Sequence, residues 1–90
     1  MKISLFIKIY SKDNLEGLRY TKSYESKVVP NIGDKVKDSI FDQAKRVVDV
    51  TYNYQLSTVK IELENKEMRE GALNGHVQEV AALHDWVLVV

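Results

Sequence analysis

Apolar and polar side chains alternate along the first ten residues of the chain. A period of two with β-branched residues is typical of a half-buried β-strand. Phe6 and Tyr10 interrupt the polar face of this strand, so we expect that face to be partly covered. The apolar face is made of Ile3, Leu5, Ile7 and Ile9.

Turn-forming residues follow over residues 11–14, with Gly17 shortly after. The pattern predicts a hairpin into a second strand over residues 18–29. The face predicted to be shared within that strand carries Leu18, Tyr20, Tyr24 and Val28.

The segment of residues 30–34 contains the only proline of the chain and a glycine, and it marks a break between elements. Residues 38–44 after it fit either a loop or one helical turn. β-branched and aromatic residues become frequent after Lys45, which favours a strand over residues 45–54.

Alternation returns over residues 58–64, where Val59, Ile61 and Leu63 alternate with charged residues. This is typical of an antiparallel strand with one face in water. We expect it to pair antiparallel with the strand over residues 45–54.

The last quarter of the chain has a helical pattern. An apolar stripe with helical spacing precedes residues 86–90, which are apolar on both faces and predict a last strand inside the sheet. Asn74 and Gly75 fit either the start of this helix, with Asn74 as N-cap, or a type I′ hairpin turn, and two alanines favour the helix. The stripe consists of Val77, Val80, Ala81 and His84.

Together these elements predict an α+β fold in a single domain of residues 1–90. The architecture is a small antiparallel β-sheet or open barrel of four to five strands, with one C-terminal helix followed by a last strand. Ninety residues suffice for one core and are too few for two.

Composition narrows the function classes. The chain carries 13 basic and 13 acidic residues, so it lacks the excess positive charge that duplex binding draws on. It has no cysteine, which excludes disulfides, thiolate nucleophiles and Cys-ligated metals. The N-terminus does not fit a signal peptide, and no stretch approaches the ~18 apolar residues of a membrane span, so we expect a cytoplasmic protein without a membrane partner.

The ionisable residues predict no catalytic or metal site. His84 and Asp85 are adjacent and point in different directions, and His76 lies about 12 Å from His84 on a helix. We interpret His84 as a helix C-terminal residue before a core tryptophan. Asp34, Asp38 and Asp42 recur every four residues, without the glycine and spacing of a calcium loop, and predict a solvated face. No Gly-rich phosphate loop is present, so we expect no cofactor and no enzyme activity.

The five tyrosines are the most distinctive feature of the composition. Two pairs recur at spacings of four and two, which puts each pair on one strand face. Such residues can be ordinary strand formers at the rim of a core, a protein interface, or a stacking surface for single-stranded nucleic acid. The binding-surface candidates are Tyr20, Lys22, Tyr24, Lys45, Arg46, Tyr52, Tyr54 and Lys60.

One region resembles a known group of proteins. Val29-Pro30-Asn31-Ile32-Gly33-Asp34-Lys35-Val36, followed by the strands that begin at Lys45 and Thr58, is similar to small bacterial and phage-type proteins, in which a Pro-x-x-Gly-Asp-x-Val turn leads into a strand pair. The resemblance implies a small open sheet or barrel and an origin in a prophage or other mobile element. It implies no catalytic residue.

The function expected from the sequence is a non-enzymatic interaction module. Its partner would be another protein, or a second copy of the chain bound by edge pairing. The alternative is a small-barrel protein that binds single-stranded nucleic acid.

Overall fold

Strands account for most of the regular structure. The computed structural model describes residues 1–38, 41, 43–73 and 75–89. In this part of the chain the elements are β1 (Lys2–Ser11), β2 (Asn14–Glu25), β3 (Lys35–Val36), β4 (Lys45–Asn53), β5 (Thr58–Leu63), β6 (Lys66–Met68), α1 (His76–Leu83) and β7 (Val87–Leu88). The α+β class is confirmed, but the described residues form seven strand segments where four or five were predicted. Three segments have only two or three residues, too few to leave a periodic signal in a sequence.

β1 lies inside the sheet, and its alternation predicts its burial correctly. It pairs antiparallel with β2 on one side, and parallel with β5 and β6 on the other. The prediction of an antiparallel sheet is therefore wrong, because the sheet is mixed. Parallel partners such as Ile3 and Val59 are far apart in sequence, and alternation carries no information about strand direction. The four apolar residues of β1 are all buried: Ile3, Leu5, Ile7 and Ile9.

β5 and β6 pair with the same side of β1, one after the other, and a β-bulge separates them. Phe6 pairs with Glu62, and Ile9 pairs with Lys66. Three steps along β1 therefore match four steps along the partner, which leaves one extra residue. Such a bulge bends a strand and increases its twist, and this sheet curls into an open half-barrel.

The antiparallel pairing of β4 with β5 is confirmed, with Tyr52 opposite Val59. The ladder is irregular between Val47 and Asp49, which leaves Val48 without a partner in β5. β3 pairs with only the first two residues of β4. Among the described residues the strand order is β3-β4-β5-β1-β2-β7, with β6 beside β1.

The predicted C-terminal helix is present as α1 and begins after Gly75, which is its N-cap. Asn74, the predicted N-cap, lies outside the described residues. At the other end, Asp85 N–H donates to Ala82 O and Trp86 N–H donates to Ala81 O. With Asp85 at a φ of 64°, this is a Schellman motif. The motif turns Trp86 into the core.

The last strand is shorter than predicted and lies at an edge. β7 contains only Val87 and Leu88 and pairs with β2 at the end of the strand order. The prediction of an inner strand over residues 86–90 is therefore wrong. The apolar run of this segment combines one core residue, Trp86, with two edge residues, Val87 and Leu88, which are 63% and 38% exposed. Val90 lies outside the described residues.

The core fills the inner face of the half-barrel. Inward side chains of β1, β4 and β5 meet residues from the loops and from α1. Of the segment predicted as loop or helical turn, residues 39, 40 and 42 lie outside the described residues, while Phe41 N–H donates to Asp38 O at 3.0 Å. No helix among the described residues is long and apolar enough to cross a membrane. The residues that cover the inner face include Phe41, Leu73, Val77, Ala81 and Trp86.

Candidate functional site

The predicted binding-surface residues are divided between the two faces of the sheet. Residues paired across strands share a face. Tyr20, Lys22 and Tyr24 pair with Ile7, Leu5 and Ile3, which places all three on the inner face. Lys60 lies between the buried Val59 and Ile61, so it points to the outer face.

Tyr20 is a core residue with 2% of its surface exposed. Burial raises the pKa of its hydroxyl. That hydroxyl is buried, and it has no hydrogen-bond partner among the described residues. Its ring is therefore not available to stack on a partner.

Lys22 and Tyr24 converge on the carboxylate of Asp38. Lys22 Nζ lies 3.2 Å from Asp38 Oδ2, and the Tyr24 hydroxyl donates to the same oxygen. Lys22 Nζ also lies 5.2 Å from the centre of the Tyr24 ring. These two inner-face residues therefore anchor the segment before β4 and are occupied within the fold.

Trp86 completes this cluster from the other end of the chain. Its indole N–H donates to Asp38 Oδ1 at 3.0 Å, and its ring lies 5.6 Å from that of Phe41. The prediction that Asp38 belongs to a solvated face is wrong, because only 8% of the residue is exposed. Asp42, of the same series, lies outside the described residues.

The electrostatics of the cluster favour a charged Asp38. Burial alone would raise the pKa of this carboxyl, but hydrogen bonds from Tyr24, Trp86 and Lys22 outweigh it and hold the pKa well below its usual range. Burial and the bond to Asp38 raise the pKa of Tyr24. For Lys22, burial opposes the charge, but hydrogen bonds with Tyr24 and Asp38 raise its pKa. All three donors of the cluster bond to Asp38 within the fold, so we interpret the cluster as a structural one.

Lys60 belongs to a charged group on the outer face. Its ammonium lies 5.1 Å from the centre of the Phe6 ring, and the Arg19 guanidinium lies 4.8 Å from the same centre. Glu62 accepts from Arg19 and lies 3.6 Å from Lys60 Nζ. Two cations thus flank Phe6, which explains how this ring is tolerated on the outer face. The predicted partial cover of that face is confirmed for Phe6.

Lys45 and Arg46 lie at the start of β4, opposite β3. The backbone of Arg46 is bonded to Glu64, which lies between β5 and β6. The Arg46 N–H donates to Glu64 Oε1 at 3.1 Å, and the Arg46 carbonyl accepts from Glu64 N–H at 2.9 Å. The two cations lie six to nine residues before Tyr52 and Tyr54, at the opposite end of the strand. The structure does not bring these cations together with the exposed tyrosines.

Tyr52 and Tyr54 are the two candidates that reach solvent as a unit. Their rings are stacked, with centres 5.9 Å apart and planes 14° from parallel. Tyr52 is 46% exposed and Tyr54 is 83% exposed. The turn behind them is ordered locally, since Leu56 N–H donates to Asn53 Oδ1 at 3.0 Å. This hairpin therefore presents a flat aromatic surface on a fixed backbone.

The strand edge beside these rings is open. The segment before β4 covers only its start, since Val47 N–H donates to Asp34 O, and Gly33 N–H donates to Val47 O. From Asp49 to Asn53, β4 pairs with β5 on one side. On its other side no strand and no backbone hydrogen bond from the described residues meets it. We call residues 49–53 the open edge of β4.

Other parts of the described chain offer little chemistry. A cleft of about 60 Å³ opens between β1, β6 and α1, with His76 and Lys66 in its lining. Sites for cofactors and drug-sized ligands are typically about 300–1,000 Å³, so this cleft is too small for one. Two wider depressions beside β6, of about 400 and 440 Å³, are open to solvent and lined by side chains of both charges, among them Lys45, Glu67 and Arg69. Among the described residues, no group of three or more His, Asp or Glu could hold a metal ion. His84 is the C-cap of α1, as interpreted from the sequence.

No family of known proteins, no curated protein and no solved structure matches this chain. Its candidate site is therefore described by its own geometry. The open edge of β4 was not identifiable from the sequence, because strand order is needed to know which strands lie at an edge. Asp38 and Trp86 gave no signal for their pairing either, since they lie 48 residues apart.

Proposed function

We propose that this chain is a non-enzymatic interaction module that binds another protein through Tyr52, Tyr54 and the open edge of β4. The observation that carries the proposal is the stacked pair of exposed rings directly beside an unpaired strand edge. An open edge offers backbone donors and acceptors to an added strand. Tyrosines next to it offer apolar area with a polar tip.

The arrangement suits a protein partner. Tyrosine is enriched among the residues that dominate binding energy in protein interfaces. Stacking holds the two rings in one geometry before any partner arrives, which lowers the entropy lost on binding. Exposed apolar residues continue along the hairpin, at Val48 and Leu56, which are 50% and 67% exposed.

The same observations disfavour the nucleic-acid alternative. Of the aromatic residues considered for stacking, Tyr20 is buried and Tyr24 is bonded to Asp38. Of the cations, Lys22 is paired with Asp38, and Lys60 lies on the outer face beside Glu62. Proteins that bind single-stranded nucleic acid combine cations with nearby stacking rings. This chain does not place them together, and its formal charge is zero.

The origin of the chain is part of the proposal. The turn from Val29 to Val36 resembles that of small proteins from phages and other mobile elements. Small interaction modules without catalytic residues fit such an origin. Its cytoplasmic location and its lack of enzyme activity stay predictions.

Site-specific photo-crosslinking tests the proposed surface. A photoreactive phenylalanine analogue replaces Tyr54 in the full chain, which is then irradiated in a cell extract of its source, and adducts are identified by mass spectrometry. We expect a protein adduct that is lost when Tyr52→Ser is added. The matched control carries the analogue at Leu15, an apolar residue of β2 that is 68% exposed and distant in sequence from the hairpin.

Each outcome has a clear meaning. A defined protein adduct at position 54, absent at position 15 and dependent on Tyr52, supports the proposal. Equal labelling at both positions, or an adduct that contains only nucleic acid, contradicts it.

A further inference from the structure

We infer that the protein bound at the open edge of β4 is a second copy of this chain, with the two β4 strands antiparallel and related by a two-fold axis at Thr51. The inference rests on the proposed function and names its partner. Such an interface is isologous, because the same edge serves both copies. It would join the two half-barrels into one continuous sheet.

The alternation of β4 fixes which residues can face each other. Val50 and Tyr52 pair with the inner residues Ile61 and Val59, whereas Thr51 pairs with the outer Lys60. Directly opposite residues of an antiparallel pair share a face, and a slip of one residue would place inner against outer side chains. A two-fold axis at Thr51 respects this rule along the whole edge.

The pairs created by this axis are chemically complementary. Tyr52 faces Val50 of the second copy, an aromatic with a β-branched residue, and Thr51 faces Thr51 of the second copy. Both combinations are favourable across strands. Asp49 faces Asn53 of the second copy, so the two carboxylates are not opposed. Beyond the edge, the exposed Tyr54 faces the exposed Val48 of the second copy.

Neighbouring registers are poorer. An axis at Val50 would pair Asn53 with Val47, whose backbone is already bonded to Gly33 and Asp34. An axis at Tyr52 would pair Val50 with Tyr54, which lies outside β4. Only the axis at Thr51 pairs all five residues of the open edge of one copy with the five residues of the same edge in the second copy.

Little in the chain opposes the contact. Natural edges are commonly protected by charged residues, above all lysine, by proline or by bulges. Residues 49–53 contain neither lysine nor proline, their one charged residue, Asp49, would lie opposite an uncharged Asn53, and the bulge at Val48 lies just outside the edge. A formal net charge of zero removes long-range repulsion between copies. The five-residue edge is short, so we expect a weak, concentration-dependent dimer.

Sedimentation equilibrium on the full chain over a wide concentration range tests the dimer, and a pair of charge variants tests its register. Asn53→Asp keeps the acceptor for Leu56 N–H but places a new carboxylate against Asp49 of the second copy. We expect it to raise the dimer Kd about tenfold, because two like-charged pairs form per dimer. Adding Asp49→Lys turns both pairs into opposite charges, and we expect the Kd to return to the wild-type value or below.

Cysteine crosslinking tests the axis itself, and the chain has no cysteine of its own to interfere. Thr51→Cys puts two thiols opposite each other, with Cα atoms about 4.5–5.5 Å apart, within reach of a disulfide. Asp49→Cys on the same strand is the matched control. Its two thiols lie about four residues apart along the strands, roughly 14 Å, too far to bridge.

A dimer that crosslinks at position 51 and not at 49, with the expected order of the charge variants, supports the inference. A monomer at every concentration overturns it, as does a dimer indifferent to Asn53→Asp. The proposed function is tested separately: a Tyr52-dependent adduct with a different protein, alongside a monomer, overturns only the second copy as partner. Absence of any specific protein adduct at position 54, alongside a monomer, overturns both.

Discussion

The indole N–H of Trp86 donates a hydrogen bond of 3.0 Å to the carboxylate of Asp38, across 48 residues of chain. The bond ties the segment before β4 to the residue that follows α1. Tyr24 and Lys22 donate to the same carboxylate, so strand β2 is held at the same point. Three parts of the chain therefore depend on the charge of one buried side chain.

Acid should weaken the fold through Asp38. Its pKa is depressed in the folded chain, whereas an unfolded Asp has a pKa near 3.9. The stabilisation is therefore fully present above about pH 4 and is lost as the pH falls towards the folded value. We expect the free energy of unfolding, measured with urea at several pH values, to decline below about pH 4.

Asp38→Asn provides the matched control for this pH dependence. It should lower the free energy of unfolding at pH 7 by about 2 kcal/mol, because hydrogen bonds to a charged group are lost. It should also decline less than the wild type below pH 4. Parallel profiles of the two proteins over that range would show that other carboxylates cause the decline.

Tyr20→Phe should leave stability unchanged or raise it by up to about 1 kcal/mol. The Tyr20 hydroxyl is buried without a partner among the described residues, so its removal abolishes a desolvation cost. Tyr24→Phe deletes a hydroxyl that donates to Asp38 and should cost about 1–2 kcal/mol. Urea unfolding of both variants makes the comparison. Equal losses would mean that the Tyr20 hydroxyl has a partner such as a buried water.

Gly17→Ala should destabilise the chain by about 2–4 kcal/mol. Gly17 has a φ of 67°, and an added Cβ would lie 2.2 Å from the backbone oxygen of Ile9. Gly33→Ala is the control, because its φ is 95° but nothing lies within 4 Å of its added Cβ. It should cost only the conformational strain of about 1–2 kcal/mol. Thermal unfolding that ranks Gly33→Ala as the more damaging change would refute the close approach at Gly17.

Asp85→Gly should stabilise the chain by about 0.5–1 kcal/mol. Asp85 occupies the left-handed position of the Schellman motif with a φ of 64°, where glycine is the usual residue. Asp85→Ala should be less stable than the wild type, since alanine lacks the local hydrogen bonding that helps Asp adopt this conformation. The order Gly, Asp, Ala in thermal unfolding checks the assignment, and any other order argues against it.

Local periodicity accounts for the parts of the fold that were predicted well. β1 and β5 alternate over six or more residues. β4, whose alternation is broken by the bulge at Val48, was predicted from its β-branched and aromatic residues instead, and it pairs with β5 through a short turn. The same reasoning failed for strand direction and order, because parallel partners are joined by a long crossover whose path no short window contains. It failed for β7 because an apolar run does not distinguish an inner strand from a core residue beside an edge.

The candidate site was predicted in part for a related reason. A spacing of two or four places tyrosines on one strand face, and Tyr20, Tyr24 and Tyr52 do lie on the inner face. Spacing gives no information on what covers each position. Tyr20 is covered, whereas Tyr52 lies near the end of an edge strand and stays half exposed. Burial of Asp38 depended on donors from distant elements, which no local pattern reveals.

The parallel pairing of β1 with β5 also sets the order in which the chain can fold. The β1–β2 and β4–β5 hairpins close short loops, whereas residues 2–6 meet residues 58–62 only after a long loop closes. We expect the two hairpins to form first and their docking to limit the folding rate. During synthesis β1 emerges from the ribosome long before β5, so the edge of β1 that pairs with β5 stays unpaired in that interval. Unpaired strand edges make folding intermediates prone to aggregation, so we expect this interval to be one in which the chain aggregates readily.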